Sequence, residues 1–286
     1  MGEPEAQAEA TAAVRVRGAG GLRADLLARE EPLEIQVDGQ SLAVVMRTPG
    51  HDAELALGFL VTERVIQGAS EVRSVRHCTR SAAEEARQNV IRVLLAEGVR
   101  LDLEALRRNL YASSSCGICG KATIENALAS APPLADPAHF AARALVAMPA
   151  QLAAAQPIFE RTGGLHAAGL FDPAGRLAVA REDVGRHNAV DKVVGVALQR
   201  GWTPLGGHAL LVSGRISFEI VQKALAARIP LVAGVSAPTS LAVELAERAG
   251  IAVVGFLRGE RFNVYSAHAR VGAPEPERAG GARGAA

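Results

Sequence analysis

The sequence has few aromatic residues and no excess of either charge. Aromatic residues make up 3% of its 286 residues, which argues against a surface that stacks single-stranded nucleic acid. Its 31 basic and 30 acidic residues leave a net charge of +1, which gives no electrostatic reason to bind duplex DNA or an acidic membrane. We therefore expect neither a nucleic-acid partner nor a membrane partner.

Membrane spans, a secretion signal and a disulfide framework are also missing from the sequence. It has no uninterrupted apolar run of about 18 residues, the length of a membrane-spanning helix. The first residues, MGEPEAQAEATAAVRVRG, lack the basic region followed by an apolar stretch that a secretory signal requires. The cysteines, Cys78, Cys116 and Cys119, are too few for a disulfide framework. These absences predict a cytoplasmic protein whose thiols are free, reactive or metal-bound.

Composition and hydrophobic periodicity divide the chain into two domains between two tails. Residues 1–18 and 271–286, rich in Ala and Glu or in Gly, Pro and Ala, are predicted to be disordered. Residues 19–140 mix short strands and helices, with an Asp-Gly hairpin signal, and predict a smaller α+β domain. Residues 141–270 alternate strands with helices, which predicts a largely parallel sheet packed between helices.

Four loops of the second domain follow predicted strands: REDVGRHN, VSGRIS, VSAPTS and FLRGER. Because parallel strands end at the same edge of a sheet, ligands bind there, and helix N-termini at that edge attract anions. The Ser, Thr and Gly residues of these loops have a second interpretation, in which they cap helices and form turns. The sequence contains no phosphate-loop motif and no dinucleotide fingerprint. The candidate phosphate-binding residues are Ser213, Gly214, Arg215, Ser236, Thr239, Ser240 and Arg258.

The segment DVGRHNAVDK places polar residues at helical spacing. His187 and Asp191 are four residues apart, which is typical of a solvated polar face. The alternative is a pocket wall, in which Arg186 and Lys192 meet a ligand anion and Asp191 orients His187. The segment TGGLH leaves a similar choice between a simple turn and a pocket lined by His166.

The two cysteines of SSSCGICGK, residues 113–121, allow more than one chemistry. A structural zinc site needs two more ligands, which His77 and Cys78 could supply. A thioredoxin-like dithiol follows a strand and opens a helix, whereas this pair follows a predicted helix and a run of serines. A zinc deaminase needs an H-x-E motif, which the sequence lacks.

A nucleophilic carrier thiol is the remaining interpretation of this segment. A helix is predicted to begin near Lys121, so Cys116 and Cys119 lie at or before its positive end. That position and the lysine charge lower the pKa of a thiol and favour the thiolate. Gly117 and Gly120 add backbone freedom. A thiol of this kind suits the transfer of an atom between two partners.

Six blocks of the sequence together resemble the FdhD family, the sulfurtransferases that are accessory to formate dehydrogenase. The blocks keep their order and span nearly the whole chain outside the tails. They are SSSCGICGK (113–121), TGGLHAAGLF (162–171), DVGRHNAVDK (183–192), LVSGRISFEIVQKA (211–224), SAPTSLAVELA (236–246) and GFLRGERFNVYS (255–266).

This resemblance implies a function and a fold. Members of the family take sulfur as a persulfide from a cysteine desulfurase. They pass it to the molybdenum bis(molybdopterin guanine dinucleotide) cofactor, or its tungsten counterpart, before that cofactor enters formate dehydrogenase. The implied fold class is α/β, with a C-terminal cytidine-deaminase-like α/β domain, lacking the deaminase zinc, beside a smaller N-terminal α+β domain. A homodimer with no permanent metal is expected.

The resemblance also implies roles for particular residues. Cys116, in a mobile C-x-x-C loop, would carry the persulfide, and Cys119 would assist it. The cofactor would be bound by Phe256, Leu257, Arg258, Gly259, Glu260 and Arg261, together with Ser213, Gly214, Arg215, Ser236, Thr239 and His187. The alternative function is a non-catalytic chaperone that binds the cofactor and holds a structural zinc at its C-x-x-C motif.

Overall fold

The computed structural model describes residues 10–18, 21–78, 88–99 and 120–272. The first part of the chain contains β1 (Thr11–Gly18), β2 (Gly21–Ala28), β3 (Glu31–Val37), β4 (Gln40–Arg47), α1 (Asp52–Thr62), β5 (Val72–His77) and β6 (Val90–Leu95). The second part contains α2 (Gly120–Ser130), α3 (Ala142–Ala154), α4 (Pro157–Thr162), β7 (His166–Phe171), β8 (Leu177–Asp183), α5 (Arg186–Gln199), β9 (Ala209–Val212), α6 (Phe218–Ala226), β10 (Leu231–Gly234), α7 (Ser240–Ala249), β11 (Ala252–Arg258) and β12 (Arg261–Ser266).

The first part forms a hairpin and a four-stranded sheet. The sheet has the strand order β4-β3-β6-β5. Its β3–β4 turn has positive φ at Asp38 (47°) and Gly39 (81°), so the predicted Asp-Gly hairpin is confirmed. The disordered tail predicted for residues 1–18 is wrong for 11–18, which pair along their whole length with β2. Within them AVRVR alternates apolar and charged residues, the pattern of a strand with two different faces.

The second part forms a six-stranded sheet with the order β12-β11-β10-β9-β7-β8. Strands β9, β10 and β11 are parallel, whereas β7 is antiparallel to both β8 and β9, and β12 is antiparallel to β11. The prediction of a largely parallel sheet is therefore wrong, and the sheet is mixed. The cause is the short connections after β7 and β11, since a tight turn joins only antiparallel neighbours. The α/β class itself is confirmed.

The two sheets share one hydrophobic core, in which α1 packs directly against α5. Leu33 of β3 and Val193 of α5 belong to the same buried cluster. The helices meet at Gly58 and Gly195, where the main chains touch. The buried cluster contains residues from both sides of residue 140. The domain boundary predicted there stays a prediction.

A salt bridge between Glu54 on α1 and Arg181 on β8 also joins the two parts. Arg181 donates from Nε and Nη2 to the two carboxylate oxygens at 2.6 and 2.9 Å. His51 Nδ1 lies 3.4 Å from Oε2 of the same carboxylate. Burial alone would raise the pKa of Glu54, but the hydrogen bonds from Arg181 and His51 outweigh it and lower that pKa to about 2.

Folding lowers the pKa of Glu54 from 4.5 to about 2. We therefore expect the free energy of unfolding to fall as the pH drops between these two values. The stabilisation is fully present above the upper value and is lost as the carboxylate is protonated. A shift of this size corresponds to a loss on the order of 3 kcal/mol. Urea unfolding at a series of pH values measures it.

The matched variants for this measurement are Glu54→Gln and Glu244→Gln. Glu54→Gln removes the titrating group and should flatten the acid side of the stability profile. Glu244 is an exposed carboxylate on α7, so its replacement should leave the profile unchanged. An unaltered profile in Glu54→Gln would show that another group is responsible.

Candidate functional site

The loops that the sequence predicts at one sheet edge lie side by side in the structure. Strands β8, β9, β10 and β11 end at this edge, and β7 begins there. Ile216 N donates to Ala237 O at 3.1 Å, and Thr239 N donates to Ile216 O at 3.0 Å. Phe256 N donates to Ser236 O at 3.1 Å. The loops after β9 and β10 and the end of β11 therefore form one connected surface, here called the carboxyl edge.

Three helices, α5, α6 and α7, begin at the carboxyl edge. Their N-cap residues are Gly185, Ser217 and Thr239, and in the described part of the chain no side chain caps these helices. The interpretation of Ser217 and Thr239 as side-chain caps is therefore wrong. The first-turn amide groups of a helix carry partial positive charge, so they attract an anion; in α6 the carboxylate of Glu219 already accepts from its own backbone amide, which leaves α5 and α7 as the better candidates.

A cavity of about 740 Å³, here called the edge cavity, opens at this surface. Ser213 lies in its wall, where its Oγ accepts a hydrogen bond from Ala167 N at 2.9 Å. Arg258 Nε donates to Val235 O at 2.8 Å, which fixes the guanidinium group beside the opening. The lining residues are largely apolar, with a few polar groups among them: Pro149, Ala150, Leu152, Ala153, Gln156, Phe159, Gly163, Gly164, Leu165, His166, Ser213, Val235, Leu257 and Arg258.

Some residues of the stretch FLRGER line this cavity, and the others are exposed to solvent. A register shift interrupts the β11–β12 pairing between Gly255 and Arg258. Within it Phe256 has a positive φ of 55° and is 42% exposed, while Leu257 is fully buried. This irregular backbone is what turns Leu257 and Arg258 toward the cavity. Glu260, at the turn, and Arg261, at the start of β12, are exposed.

The remaining predicted binding residues occupy the rim of the carboxyl edge. Gly214 packs beside His166, since a Cβ added to this glycine would lie 3.5 Å from the imidazole Nδ1. Arg215 and Thr239 are exposed, and Ser236 is half-buried. The TGGLH segment therefore contributes a pocket residue, because His166 lines the edge cavity.

Two residues of DVGRHNAVDK do not face a ligand, contrary to the pocket-wall hypothesis. Lys192 is 1% exposed, and its Nζ lies 2.7 Å from Oδ2 of the fully buried Asp183. Asp191 accepts hydrogen bonds from Thr62 Oγ1 at 2.7 Å and Lys223 Nζ at 2.9 Å. Asp191 therefore does not orient His187. Both acidic residues are held in internal ion pairs, as buried charges must be.

His187 and Arg186 do lie at the carboxyl edge. His187 Nε2 is 3.4 Å from Ser217 Oγ and 3.8 Å from Glu219 Oε2. Arg186 Nε is buried and has no hydrogen-bond partner among the described residues. Such a donor fits an anion acceptor supplied by a ligand, because an unpaired buried donor is costly.

Both histidines of this surface favour the neutral form. Burial and then the positive charge of Arg186 lower the pKa of His166, while Asp183 partly opposes this shift. Burial, followed by the charges of Arg186 and Lys223, lowers the pKa of His187 to about 4. At neutral pH both imidazoles are therefore uncharged, and His187 is a weaker base than an ordinary histidine.

Cys116 and Cys119, the predicted sulfur-carrying residues, lie outside the described residues, as does the helix predicted before them. The helix predicted from Lys121 is confirmed as α2, which begins at Gly120. Cys78 is buried, and the neighbouring His77 has its Nε2 3.5 Å from Asp52 Oδ2. Among the residues the structure describes, no cluster of three or more His, Cys, Asp or Glu side chains could hold a metal ion.

Four residues of this site escaped the sequence reasoning. Gln156 and Phe159 come from the α3–α4 region, which precedes the sheet and carries no motif. Ser217 and Glu219 belong to the helix start after β9, where the candidate binding residues were Ser213, Gly214 and Arg215. The sequence could have pointed to Ser217, because serine is common immediately before a helix. Nothing in the sequence pointed to Glu219.

Membrane-spanning segments can also be checked in the structure. Among the described helices, none has both the length and the apolar character needed to cross a bilayer.

This chain is similar to known proteins in both sequence and structure. The profile of the FdhD/NarQ family matches residues 28–272. The sulfur carrier protein FdhD of Mycolicibacterium paratuberculosis is 51% identical over 253 residues, covering 87% of this chain and 93% of the relative. That of Streptomyces avermitilis is 50% identical over 263 residues, covering 90% and 93%. The crystal structure of a formate dehydrogenase accessory protein from Desulfotalea psychrophila has a TM-score of 0.70 at 27% identity, covering 91% of this chain and 98% of that one.

Proposed function

Because this chain belongs to the FdhD/NarQ family, we propose that it carries sulfur as a persulfide on Cys116. The sulfur comes from a cysteine desulfurase and goes to the molybdenum bis(molybdopterin guanine dinucleotide) cofactor destined for formate dehydrogenase. The protein is then a sulfurtransferase that acts in the cytoplasm, as a homodimer, with the cofactor as its substrate.

The observation that supports this proposal best is the composition of the carboxyl edge. Three helices begin at this edge, where their N-cap residues make no side-chain cap, and Arg258 lines the edge cavity that opens there. The cofactor bears phosphates, which suit amide groups and guanidinium, and flat ring systems, which suit a largely apolar cavity. A volume of about 740 Å³ is in the range of pockets that hold a ligand of drug size, so it accommodates one part of the cofactor.

The arginine side chains of the carboxyl edge also suit an anionic ligand. Arg186 Nε needs an acceptor that the described residues do not supply. Ser213 keeps its Oγ at the cavity wall, and Arg215 is exposed beside it. We assign Arg186, Arg215 and Arg258 to the phosphates and Leu257 to a ring face. The chemistry that the bound cofactor supplies is a metal that accepts the sulfur.

The test of the proposed function separates loading from delivery. Wild-type protein is incubated with a cysteine desulfurase and radiolabelled cysteine, and mass spectrometry then locates the added sulfur. The loaded protein is next mixed with the cofactor, and the label that leaves the protein is counted. We expect one sulfur per chain, and its transfer to the cofactor. Failure of either step in the wild-type protein would refute the proposal.

We expect Arg258→Gln to bind GDP, a probe for the guanine nucleotide part of the cofactor, roughly tenfold more weakly than wild type. The reason is the loss of one charge-assisted hydrogen bond to phosphate. Calorimetry at fixed salt measures the affinity. Arg176→Gln is the matched control, because Arg176 lies in the β7–β8 turn at the opposite edge. Equal GDP affinity in both variants would remove Arg258 from the binding site.

A further inference from the structure

A second pocket lies at the opposite edge of the six-stranded sheet, where α1 and α6 end. Leu205 N, in the loop before β9, donates to Ala227 O, at the end of α6, at 3.0 Å. Because β9 and β10 are parallel, the chain enters both strands at this edge, here called the amino edge. The pocket has a volume of about 310 Å³, which is within the range of small-ligand sites.

Two arginines, one after each helix, line this pocket. Arg64 follows the C-cap residue of α1, and Arg228 follows that of α6. Their backbones are left-handed, with φ of 63° and 65°. Glycine is the usual residue at this position, because a side chain there costs free energy. Two long cationic side chains at such positions therefore point to a role for the side chains themselves.

Both guanidinium groups are held against the chain that follows α2. Arg64 Nε donates to Ser130 O at 3.1 Å. Arg228 donates from Nη1 to Pro132 O and from Nη2 to Pro133 O, the second at 3.2 Å. These acceptors are neutral carbonyl groups, and within the described ranges no carboxylate forms a salt bridge with either arginine. Two positive charges therefore line one pocket without a paired negative charge.

The electrostatics of Arg228 show that the two charges are close together. Burial lowers the pKa of Arg228, the charge of Arg64 lowers it further, and Asp136 partly opposes both effects. Asp136 is engaged elsewhere, since its carboxylate accepts hydrogen bonds from Ala138 N at 2.6 Å and Gly207 N at 3.1 Å. An anion placed between the guanidinium groups would offset their repulsion.

The helix ends around the pocket do not cancel this positive charge. The C-terminus of a helix is equivalent to about half a negative charge, so the ends of α1, α2 and α6 together amount to roughly one and a half. The two guanidinium groups supply two full positive charges. The pocket therefore keeps an excess of positive charge.

We propose that this pocket binds the phosphate group of a small organic molecule. Guanidinium groups are suited to phosphate, and a pair of them suits a dianion better than a single carboxylate. Gln67 and Thr203 add side chains that can donate hydrogen bonds. Val61, Pro204 and Ala226 supply apolar surface for the organic part, since a phosphate ion alone leaves much of the pocket empty. The site is separate from the carboxyl edge, so it does not depend on the proposed sulfur-carrier function.

The first experiment uses the fluorescence of Trp202, the single tryptophan of the chain, which directly precedes Thr203 in the pocket wall. The wild type is titrated with inorganic phosphate, glycerol phosphate or acetate at constant ionic strength. We expect a saturable change with both phosphates, at lower concentration for glycerol phosphate, and none with acetate. Equal affinity for the two phosphates would overturn the organic part of the proposal. A wild type that responds to neither would overturn the site itself.

The second experiment repeats the glycerol phosphate titration with variants of the pocket. Arg64→Gln and Arg228→Gln should each bind at least about tenfold more weakly, because each loses a charge-assisted hydrogen bond to phosphate. Arg248→Gln is the matched control, because this exposed arginine of α7 does not line the pocket and should leave the affinity unchanged.

Gln67→Glu keeps the test decisive if an arginine variant does not fold. Gln67 is exposed, and its replacement places a carboxylate beside the two guanidinium groups without removing either one. This carboxylate should repel phosphate and weaken glycerol phosphate binding about tenfold. Wild-type affinity in Gln67→Glu, or in a folded arginine variant, would overturn the proposal. None of these measurements involves sulfur transfer, so their failure would leave the proposed function standing.

Discussion

Cys116→Ala is expected to accept no sulfur from a cysteine desulfurase. Formate dehydrogenase produced in cells that contain only this variant should have only background activity. The thiolate is the nucleophile in persulfide exchange, so a methyl group in its place removes the reaction entirely. Mass spectrometry of the wild type should show one added sulfur on residue 116, removable by a reductant. The same treatment of Cys116→Ala should leave its mass unchanged.

Cys119→Ala should behave differently, because it keeps Cys116, the thiol that we propose accepts the sulfur. We expect this variant to load sulfur but to release it slowly, since the second thiol that would displace the outer sulfur is missing. An external dithiol should restore release. The measurement is the lifetime of the radiolabelled persulfide in the presence of the cofactor, with and without the dithiol.

Two outcomes would overturn this account of the cysteines. The first is a Cys116→Ala protein that still activates formate dehydrogenase, since the carrier role would then lie elsewhere. The second is stoichiometric zinc in the purified wild type that is lost when either Cys116 or Cys119 is replaced, which would favour the chaperone. Cys78→Ala is the internal control, because Cys78 is 7% exposed and should not react.

The parts of the fold that local patterns specify could be predicted from the sequence. The helices α1, α5, α6 and α7 follow from apolar spacing, and α7 ends at Gly250, which has a left-handed φ of 71°. The carboxyl edge follows from the order of strands and helices, and with it the gathering of the loops that contain Ser213, Ser236 and Arg258. These features depend on residues close together in the chain.

The features that depend on distant residues could not be predicted. Lys192 looked like a ligand-binding cation, but its partners Asp183 and Thr48 O are brought to it by the sheet and by a loop 144 residues earlier. The strand β7 is buried throughout most of its length and lacks alternation, so periodicity did not reveal it. Spacing along a helix shows which residues share a face, but not which face the rest of the protein covers.

Gly195→Ala is expected to cost about 3 kcal/mol or more in the free energy of unfolding, even though alanine favours a helix over glycine by about 1 kcal/mol. A Cβ at residue 195 would lie 1.8 Å from the carbonyl oxygen of Glu54, and one at Gly58 would lie 1.7 Å from that of Asp191. The obstacle in each case is backbone of the facing helix, which no side-chain rotation can move. The two helices would have to separate, so the core shared by both sheets would loosen.

Thermal unfolding measures this cost, with a decrease in Tm on the order of 10 °C expected for a chain of this size. Gly68→Ala is the control, since its φ of −159° suits any residue and its Cβ would meet nothing closer than Ser70 Oγ at 3.9 Å. Gly58→Ala should be as damaging as Gly195→Ala, and the double variant less damaging than their sum, because one separation of the helices accommodates both methyl groups. A Gly195→Ala protein as stable as wild type would mean that α1 and α5 do not touch. Because α5 carries Arg186 and His187 at its first turn, the same contact also holds the carboxyl edge in register with the rest of the protein.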